Sequence, residues 1–241
     1  MKKNLLVSLC LGTVFAVASQ ASASSCQINS GAYAGISAGV STLTGSGEFT
    51  AKNSAGIFRD VSAPNKLSKS SAAAALFGGY AMKFGSFFTA AELFYQFDNL
   101  KNTNEFELIS LNKDKKVETK SSGSYGAAVH LGFLPSNNCV LYAIAGLDVR
   151  QIKVKFSESA SPIDIHATAN KKCTSIAFAP GVGVRFSLTK NISLRTEYKY
   201  AMHRIKKLTG TATNPNGGAD TVTMESSPKV HSFNLGVVYS F

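Results

Sequence analysis

The sequence predicts an all-β fold of eight antiparallel strands, and three observations support it. Apolar residues recur at every second position in eight stretches, which is the period of a strand because successive side chains point to opposite faces. The stretches run about 11 residues or more, whereas strands of globular proteins average about 5–6 residues and a tilted membrane-spanning strand needs about 9–11. Charged residues share one face of each strand with glycine and serine, and the other face is apolar. The predicted strands cover residues 31–43, 71–84, 87–97, 124–134, 139–154, 173–188, 192–202 and 231–241.

The segment before the first strand has the features of a secretory signal peptide. Two lysines precede an apolar run over residues 5–18, and the small residues Ala-Ser-Ala at 21–23 fit a cleavage site. The run is too short to span a bilayer as a retained helix, and it ends too far before Cys26 for a lipoprotein signal. We therefore expect a signal peptide at 1–23 and a periplasmic N-terminal segment at 24–30. Loss of the two lysines would lower the formal net charge from +11 to +9.

The connections between the strands alternate in length. Short turns lie near 85–86, 135–138 and 189–191. Because short and long connections alternate, every long loop must emerge at the same end of the sheet. An even number of strands also places both termini at the short-turn end, which we expect to be periplasmic. The long outer loops are predicted near 44–70, 101–120, 156–172 and 208–228.

The distribution of charge over the strand faces decides between a soluble sheet and a membrane barrel. In the seventh strand, Leu194 and Tyr198 lie on one face and Arg195 and Glu197 on the other. A soluble sheet would place the charged, glycine-rich face in water, where glycine weakens a strand without any gain. In a membrane the apolar face meets lipid, the charges pack inside, and the sheet must close because no edge can be left in hydrocarbon. The predicted fold is an eight-stranded antiparallel up-and-down transmembrane β-barrel over residues 31–241.

Seven charged residues are predicted to line the interior of this barrel. An eight-stranded barrel has an interior just wide enough for side chains to fill, so we expect a salt-bridged network that holds the strands in register. The alternative is that these charges line the path of a narrow porin. His130 also points inward, but the other three histidines give no zinc-ligand spacing with it, so no metal site is expected. The predicted interior network comprises Glu92, Asp148, Arg150, Arg185, Arg195, Glu197 and Lys199.

The last strand carries an apolar face to the final residue of the chain. The stretches "FFTAAELFYQF", "APGVGVRFSLTKNISLRTEYKY" and "FNLGVVYSF" resemble the eight-stranded outer-membrane barrels of the opacity-protein or surface-antigen type of Gram-negative bacteria. The resemblance covers the whole mature chain. It implies an outer-membrane location and a C-terminal signal that is read by the barrel-assembly machinery. That signal would comprise Phe233, Leu235, Val237, Tyr239 and Phe241.

Two classes of function follow from this reading. The first is a non-enzymatic surface protein whose loops act in adhesion, envelope integrity or host contact, and the second is a narrow channel for small solutes. Lipid-modifying enzymes of the outer membrane are also small barrels, but His231 and Ser232 are adjacent and therefore point to opposite faces, so they form no nucleophile–base pair. We expect no catalytic residue, no cofactor and no nucleic-acid partner. The expected partners are outer-membrane lipid, lipopolysaccharide, the assembly machinery and host surface ligands, the basic outer segments favouring acidic ones.

Three cysteines remain after removal of the signal peptide. Cys26 precedes the first strand and Cys139 follows a short turn, so both are expected at the periplasmic end, whereas Cys173 belongs at the opposite end. An oxidising envelope permits disulfides. The sequence therefore predicts a Cys26–Cys139 bridge with Cys173 free.

Overall fold

The computed structural model describes residues 27–52, 61–108, 113–160, 165–203, 205–213 and 219–241. All of its regular structure there is antiparallel strand, and no helix among these residues is long and apolar enough to cross a membrane. The strands are β1 (Gly31–Lys52), β2 (Val61–Phe84), β3 (Phe87–Leu108), β4 (Lys113–Ser136), β5 (Cys139–Ala160), β6 (Ile165–Ser187), β7 (Ile192–Met202), β8 (Ile205–Thr213), β9 (Ala219–Ser226) and β10 (Lys229–Ser240).

Eight of these strands form a closed ring in the order β1 to β7 and then β10. The ring closes where β10 pairs with β1, from Tyr33↔Ser240 to Thr44↔Lys229. The seam continues to the end of the chain, because the amide of Phe241 donates a hydrogen bond to the carbonyl of Ala32 at 3.0 Å. The predicted eight-stranded antiparallel barrel is confirmed.

The two faces of the sheet have opposite character. On β3, Leu93 is 70% exposed, whereas its neighbour Glu92 is 3% exposed. On β7, Tyr198 is 41% exposed and Arg195 only 5%. The apolar residues thus form a continuous outward band, as lipid contact requires. Other outward members are Ile36, Leu76, Val129, Leu147, Ile176, Val182 and Leu235.

The glycines of the inward face allow close packing at the seam. A Cβ atom on Gly39 would collide with the main-chain carbonyl of Phe233 on β10, so no larger residue fits there without backbone movement. Gly78, on the outward face of β2, has nothing nearer than 3.5 Å to such an atom. Glycine is therefore required at the first position by space, and the second position tolerates a methyl group.

The outer connections differ from the predicted loops. Strand pairing continues through most of the segments 44–70, 101–120 and 156–172, since β1 to β6 each have 22 to 24 residues. Within 208–228, the hairpin of β8 and β9 adds two strands, and β9 pairs with the outer end of β1. The remaining connections, at 53–60, 109–112, 161–164 and 214–218, lie outside the described residues.

The strand extensions have a simple physical reason. The hydrogen-bond ladder is a property of the backbone and does not need an apolar face, so it continues where both faces meet water. A strand of 22 residues such as β5 is about 73 Å long at about 3.3 Å per residue. Even tilted by about 45°, it rises about 50 Å, which is twice the apolar band of about 25 Å in such barrels. The half of the sheet away from the short turns, called the outer end below, therefore stands beyond the membrane.

Candidate functional site: the barrel interior

An apolar layer closes the interior at the end with the short turns. It contains Ile28, which precedes β1 and is 1% exposed, and whose amide donates to the carbonyl of Asn137 at 3.0 Å. This hydrogen bond holds the start of the described chain against the β4–β5 turn, inside the mouth of the barrel. The other members are Ala81, Phe88, Leu134, Val140 and Val238.

The first charged layer lies above this apolar layer and is centred on Arg195. Its guanidinium binds both carboxylate oxygens of Glu92, at 2.5 and 3.2 Å, and lies 3.3 Å from Glu197. The same group stacks on the Phe77 ring at 3.3 Å from its centroid, a cation–π arrangement. Since β3 and β7 are four places apart in a ring of eight, the Arg195–Glu92 pair connects opposite walls of the barrel.

Further donors complete the coordination of the two carboxylates. The Tyr33 hydroxyl donates to Glu92 at 3.0 Å, and the Tyr142 hydroxyl donates to Glu197 at 2.9 Å. The ammonium group of Lys199 lies 3.6 Å from Glu197 and 4.3 Å from the centre of an aromatic ring, that of Phe94. Two cations therefore neutralise two carboxylates here, and hydroxyl donors satisfy their remaining lone pairs, which is what a buried ion pair needs to be stable.

The structure also places His130 in this layer, stacked on Tyr142 with ring centres 5.0 Å apart. One ligand atom each from His130, Glu92 and Glu197 lie within 4.8 Å of one another, a spacing that can hold a metal ion. The spacing of the histidines along the chain does not reveal this grouping, because two of its three members are glutamates. The strand register contains the signal for it, because His130 pairs with Ala90, two residues from Glu92. Arg195 binds both carboxylates, so the positive charge at this place is supplied by the protein itself.

A second charged layer lies towards the outer end. Arg150 makes a two-pronged salt bridge to Asp98, with distances of 2.8 and 2.9 Å. Asp148 accepts a hydrogen bond from Ser124 at 2.8 Å and lies 3.3 Å from the imidazole of His203. Asp98 and His203 belong to this charged layer, and the sequence pattern predicted neither of them. Asp98 continues the inward series of β3 directly beyond the predicted end of that strand at 97.

The seven predicted interior residues thus fall into three groups. Glu92, Arg195, Glu197 and Lys199 meet in the first layer, and Asp148 and Arg150 meet in the second at 3.7 Å. Arg185 is separate from both: it donates to the hydroxyl of Ser240 at 2.8 Å and lies over the Tyr33 ring at 5.3 Å.

Apolar side chains also pack around the second charged layer, and Leu100 and Ile152 lie beyond it because they follow Asp98 and Arg150 in the inward series of β3 and β5. A cavity of about 10 Å³ lies between the charged layers, lined in part by Phe94, Gln96, Asp148 and Lys199. That volume holds about one water molecule. The apolar side chains around the second charged layer are Leu43, Leu100, Ile152, Ala177, Ala179, Ala201 and Val230, of which Ala179, Ala201 and Val230 line this cavity.

The predicted C-terminal residues face outward. Tyr239 and Phe241 pack edge to face with ring centres 5.1 Å apart, and Phe241 is 77% exposed. Phe233, Leu235 and Val237 continue the same exposed face down β10. Recognition of these residues by the barrel-assembly machinery stays a prediction.

The cysteine and Ser–His predictions concern the two ends of the barrel. Cys139 and Cys173 form no disulfide with another described residue, and Cys26 lies outside the described residues, so the Cys26–Cys139 bridge stays a prediction. His231 bonds outward to the Tyr198 hydroxyl at 2.7 Å, whereas Ser232 faces inward to the Ser41 hydroxyl at 3.1 Å. The two residues point to opposite faces, as their adjacency in a strand requires.

A closed ring of membrane-length strands, apolar outside and salt-bridged within, defines a transmembrane β-barrel protein. Its family follows from the sequence: the family model described as the outer membrane protein beta-barrel domain matches residues 7–241, and the chain belongs to this family. It is therefore an outer-membrane barrel protein of Gram-negative bacteria, as the resemblance implied.

Two solved structures, those of OmpT and OprG, are similar in fold at low sequence identity. The outer membrane protease OmpT of Escherichia coli is 9% identical with a TM-score of 0.53, over 90% of this chain and 100% of that one. OprG of Pseudomonas aeruginosa is 13% identical with a TM-score of 0.51, over 88% of this chain and 98% of that one. The attachment invasion locus protein Ail of Yersinia pestis is 15% identical with a TM-score of 0.37, over 84% and 99%. No curated protein matches the sequence.

Proposed function

We propose that this protein is a non-enzymatic surface protein, a closed barrel that carries extended outer strands for adhesion, envelope integrity or host contact. The observation that supports the proposal is the filled bore, in which two charged layers are packed against buried apolar side chains. A bore filled in this way leaves the outer strands and the outward face as the surfaces that can meet a partner.

The energetics of the interior favour a static plug over a conducting path. An ion passing through would have to displace Arg195 from Glu92, a pair in which both side chains are at most 5% exposed. Breaking a buried ion pair costs about 3–5 kcal/mol, because an unpaired charge is left behind. A narrow porin for small solutes remains the competing hypothesis, and the conductance experiment below decides between the two.

An enzymatic role, such as outer-membrane lipid modification or proteolysis, is disfavoured by access. The described interior groups that could act as acid or base are Glu92, Asp98, His130, Asp148, Glu197 and His203, each at most 8% exposed. Because they are buried among packed side chains, a substrate would have to displace part of the interior to reach them. Catalysis needs a reacting group within hydrogen-bond reach of the substrate.

The orientation belongs to the same proposal. The short turns and both termini face the periplasm, the strand extensions face outward, and the terminal pattern ending at Phe241 directs assembly. Lipopolysaccharide then surrounds the outer part of the apolar band. Protease treatment of intact cells should cut within 109–112 or 214–218 and spare the strands of the ring, whereas cleavage at the turn 188–191 would reverse the orientation.

Planar-bilayer recording of the purified, refolded protein tests the closed bore directly. We expect no sustained open-state current, with a known porin refolded in the same way as the positive control. Sustained single-channel openings of the wild-type protein would refute the proposal in favour of the porin.

The surface role is tested separately on whole cells. Replacement of residues 205–226 by a short Gly-Ser linker removes the β8–β9 hairpin and leaves all eight strands of the ring. Cells carrying this variant at the wild-type surface level should lose binding to host cells or serum proteins. If neither protein alters binding or envelope permeability relative to cells that lack the gene, the adhesion and integrity roles are both excluded.

A further inference from the structure

Four lysines lie side by side on the outward face of the barrel. Lys101 on β3 pairs with Lys120 on β4, Lys120 pairs with Lys153 on β5, and Lys153 pairs with Lys172 on β6. We call these four residues the lysine row. Neighbouring strands are about 4.8 Å apart, so the row extends about 14 Å across the barrel wall.

The row has the same position relative to the apolar band on each strand. On β3 the outward residues read Phe97, Asn99 and Lys101 towards the outer end. On β5 they read Val149, Gln151 and Lys153, and on β6 they read Ile176, Thr174 and Lys172. On each of these three strands the outward residues thus change from apolar, through one neutral polar residue, to lysine. This order matches the order of hydrocarbon, polar linkage and charged headgroup at a membrane boundary.

The register makes the row a concentrated positive site. Like charges that face each other directly across a ladder destabilise it, and here three successive pairs are lysine with lysine. The row therefore places four positive charges side by side directly above the lipid-facing band.

We propose that the lysine row binds the phosphates of a bisphosphorylated glycolipid of the outer leaflet. The inference rests on the orientation given in the proposed function and identifies a partner for the outward surface. Two phosphate groups carried on a disaccharide can each bridge a pair of neighbouring lysines, while the acyl chains of the same molecule lie on the apolar band below. Lysine serves phosphate as a strong point charge, and Lys101, Lys120 and Lys172 are exposed at this level, with Lys153 half-buried.

The location favours a lipid over a soluble anion. The row lies on the outside of the wall, on four adjacent strands, and not at the mouth of the bore. A free phosphate or a soluble glycan would gain nothing from the apolar residues beneath, whereas a lipid gains both contacts at once. The site also occupies one side of the barrel. Lys229, another outward lysine, lies on β10 beside Thr44 and therefore away from the row.

A pair of charge-matched variants tests the proposal. The row variant is K101Q/K120Q/K153Q/K172Q, and the control variant is K69Q/K83Q/K190Q/K229Q, which removes four lysines from other places. Each protein is refolded in detergent, mixed with bisphosphorylated lipid A, and its bound lipid is counted by native mass spectrometry. Lipid A from which both phosphates have been removed, and phosphatidylglycerol, are the comparison lipids.

We expect the row variant to bind bisphosphorylated lipid A at least tenfold more weakly than the wild type, and the control variant to stay within twofold. Wild-type protein should lose the same factor with the dephosphorylated lipid. Equal losses in both variants would show diffuse attraction by net charge and overturn the site, as would unchanged binding in the row variant. Comparable retention of phosphatidylglycerol by the wild type would overturn the bisphosphate assignment.

The result is separable from that of the proposed function. Folding of each variant is verified by its heat-dependent mobility on a gel, and each is also recorded in planar bilayers. A wild type that conducts but still selects bisphosphorylated lipid A would refute the closed surface barrel and leave the lipid site standing. A wild type that does not conduct and does not select bisphosphorylated lipid A would refute the lipid site and leave the closed surface barrel standing.

Discussion

Replacing Arg195 by methionine should destabilise the barrel more than other single changes of charge. The substitution keeps a long side chain of similar volume in the bore and removes the cation that binds Glu92 at 2.5 Å and Glu197 at 3.3 Å. Both carboxylates are at most 3% exposed and would be left with hydroxyl donors and one lysine. Breaking a buried pair in this way costs about 3–5 kcal/mol, and the volume-conserving swap itself adds less than about 1.5 kcal/mol.

The measurement is urea unfolding of the refolded protein in lipid vesicles. The chain has no tryptophan, so folding is followed by far-UV circular dichroism and by heat-dependent mobility on SDS gels. The double variant E92Q/R195M removes one of the two carboxylate charges that the loss of Arg195 leaves unpaired. It should therefore recover part of the lost stability, which gives a coupling energy between the two sites of about 1–3 kcal/mol. Lys190→Met, in an exposed turn, is the control and should stay within about 0.5 kcal/mol of the wild type.

Two outcomes would refute this reasoning. One is an Arg195→Met protein within about 0.5 kcal/mol of the wild type, since the cation would then contribute no more than a surface charge. The other is strict additivity of the Glu92 and Arg195 substitutions, since residues joined by a salt bridge must couple.

Three further outcomes follow from the structure. Gly39→Ala should lower the free energy of unfolding by about 1–3 kcal/mol, because the added methyl group meets the backbone of the facing strand. The control Gly78→Ala should be nearly neutral. Equal urea midpoints of the two variants would contradict the close approach of the strands at the seam. Deletion of Phe241 should reduce the amount of folded barrel in outer-membrane fractions, and an unchanged level on immunoblots would exclude the terminal assembly signal. Because the start of the described chain is hydrogen-bonded beside the β4–β5 turn, protein from the oxidising periplasm should run faster on non-reducing gels than its Cys139→Ser variant, and identical mobility would exclude the bridge to Cys26.

The fold class was predictable because the membrane imposes a strict rule on the strands. Lipid accepts only apolar side chains, so Leu93 and Tyr95 had to face outward and Glu92 inward, and the alternation along β3 records this. The number of strands in the ring follows from the count of such alternating stretches. Closure follows because an open edge in hydrocarbon would leave backbone groups unsatisfied.

The outer extensions were not predictable by the same rule. Beyond the membrane both faces of a strand meet water, so segments such as 113–120 and 165–170 alternate without a contrast in hydropathy. Their strand character rests on backbone pairing with a neighbour, which leaves no pattern of side chains to detect. For this reason the sequence predicts a loop where the structure has the β8–β9 hairpin.

The interior presents a further limit. Alternation identifies which charged residues face inward, but it does not identify their partners across the bore. Arg195 binds Glu92, 103 positions earlier in the chain, because β7 and β3 are opposite each other in the closed ring and their stagger places both at one level. That level depends on the register of every strand between them, including the irregularities in β4 near Gly123. Pairings of this kind require coordinates.

The charge balance of the described interior connects the two parts of the proposal. Four cationic side chains and four carboxylates are enclosed there, so the bore is neutral overall, while the whole chain carries a formal charge of +11. The described interior contributes nothing to this net charge, whereas the lysine row holds four positive charges at one level on the outward face. Stability and partner binding should consequently respond to different substitutions: interior changes should shift the urea midpoint, and changes in the row should shift lipid binding with little effect on that midpoint. A row variant that unfolds as readily as Arg195→Met would show that the outward lysines stabilise the sheet itself, which direct lysine–lysine pairing argues against. The charges enclosed in the described interior belong to Arg150, Arg185, Arg195, Lys199, Glu92, Asp98, Asp148 and Glu197.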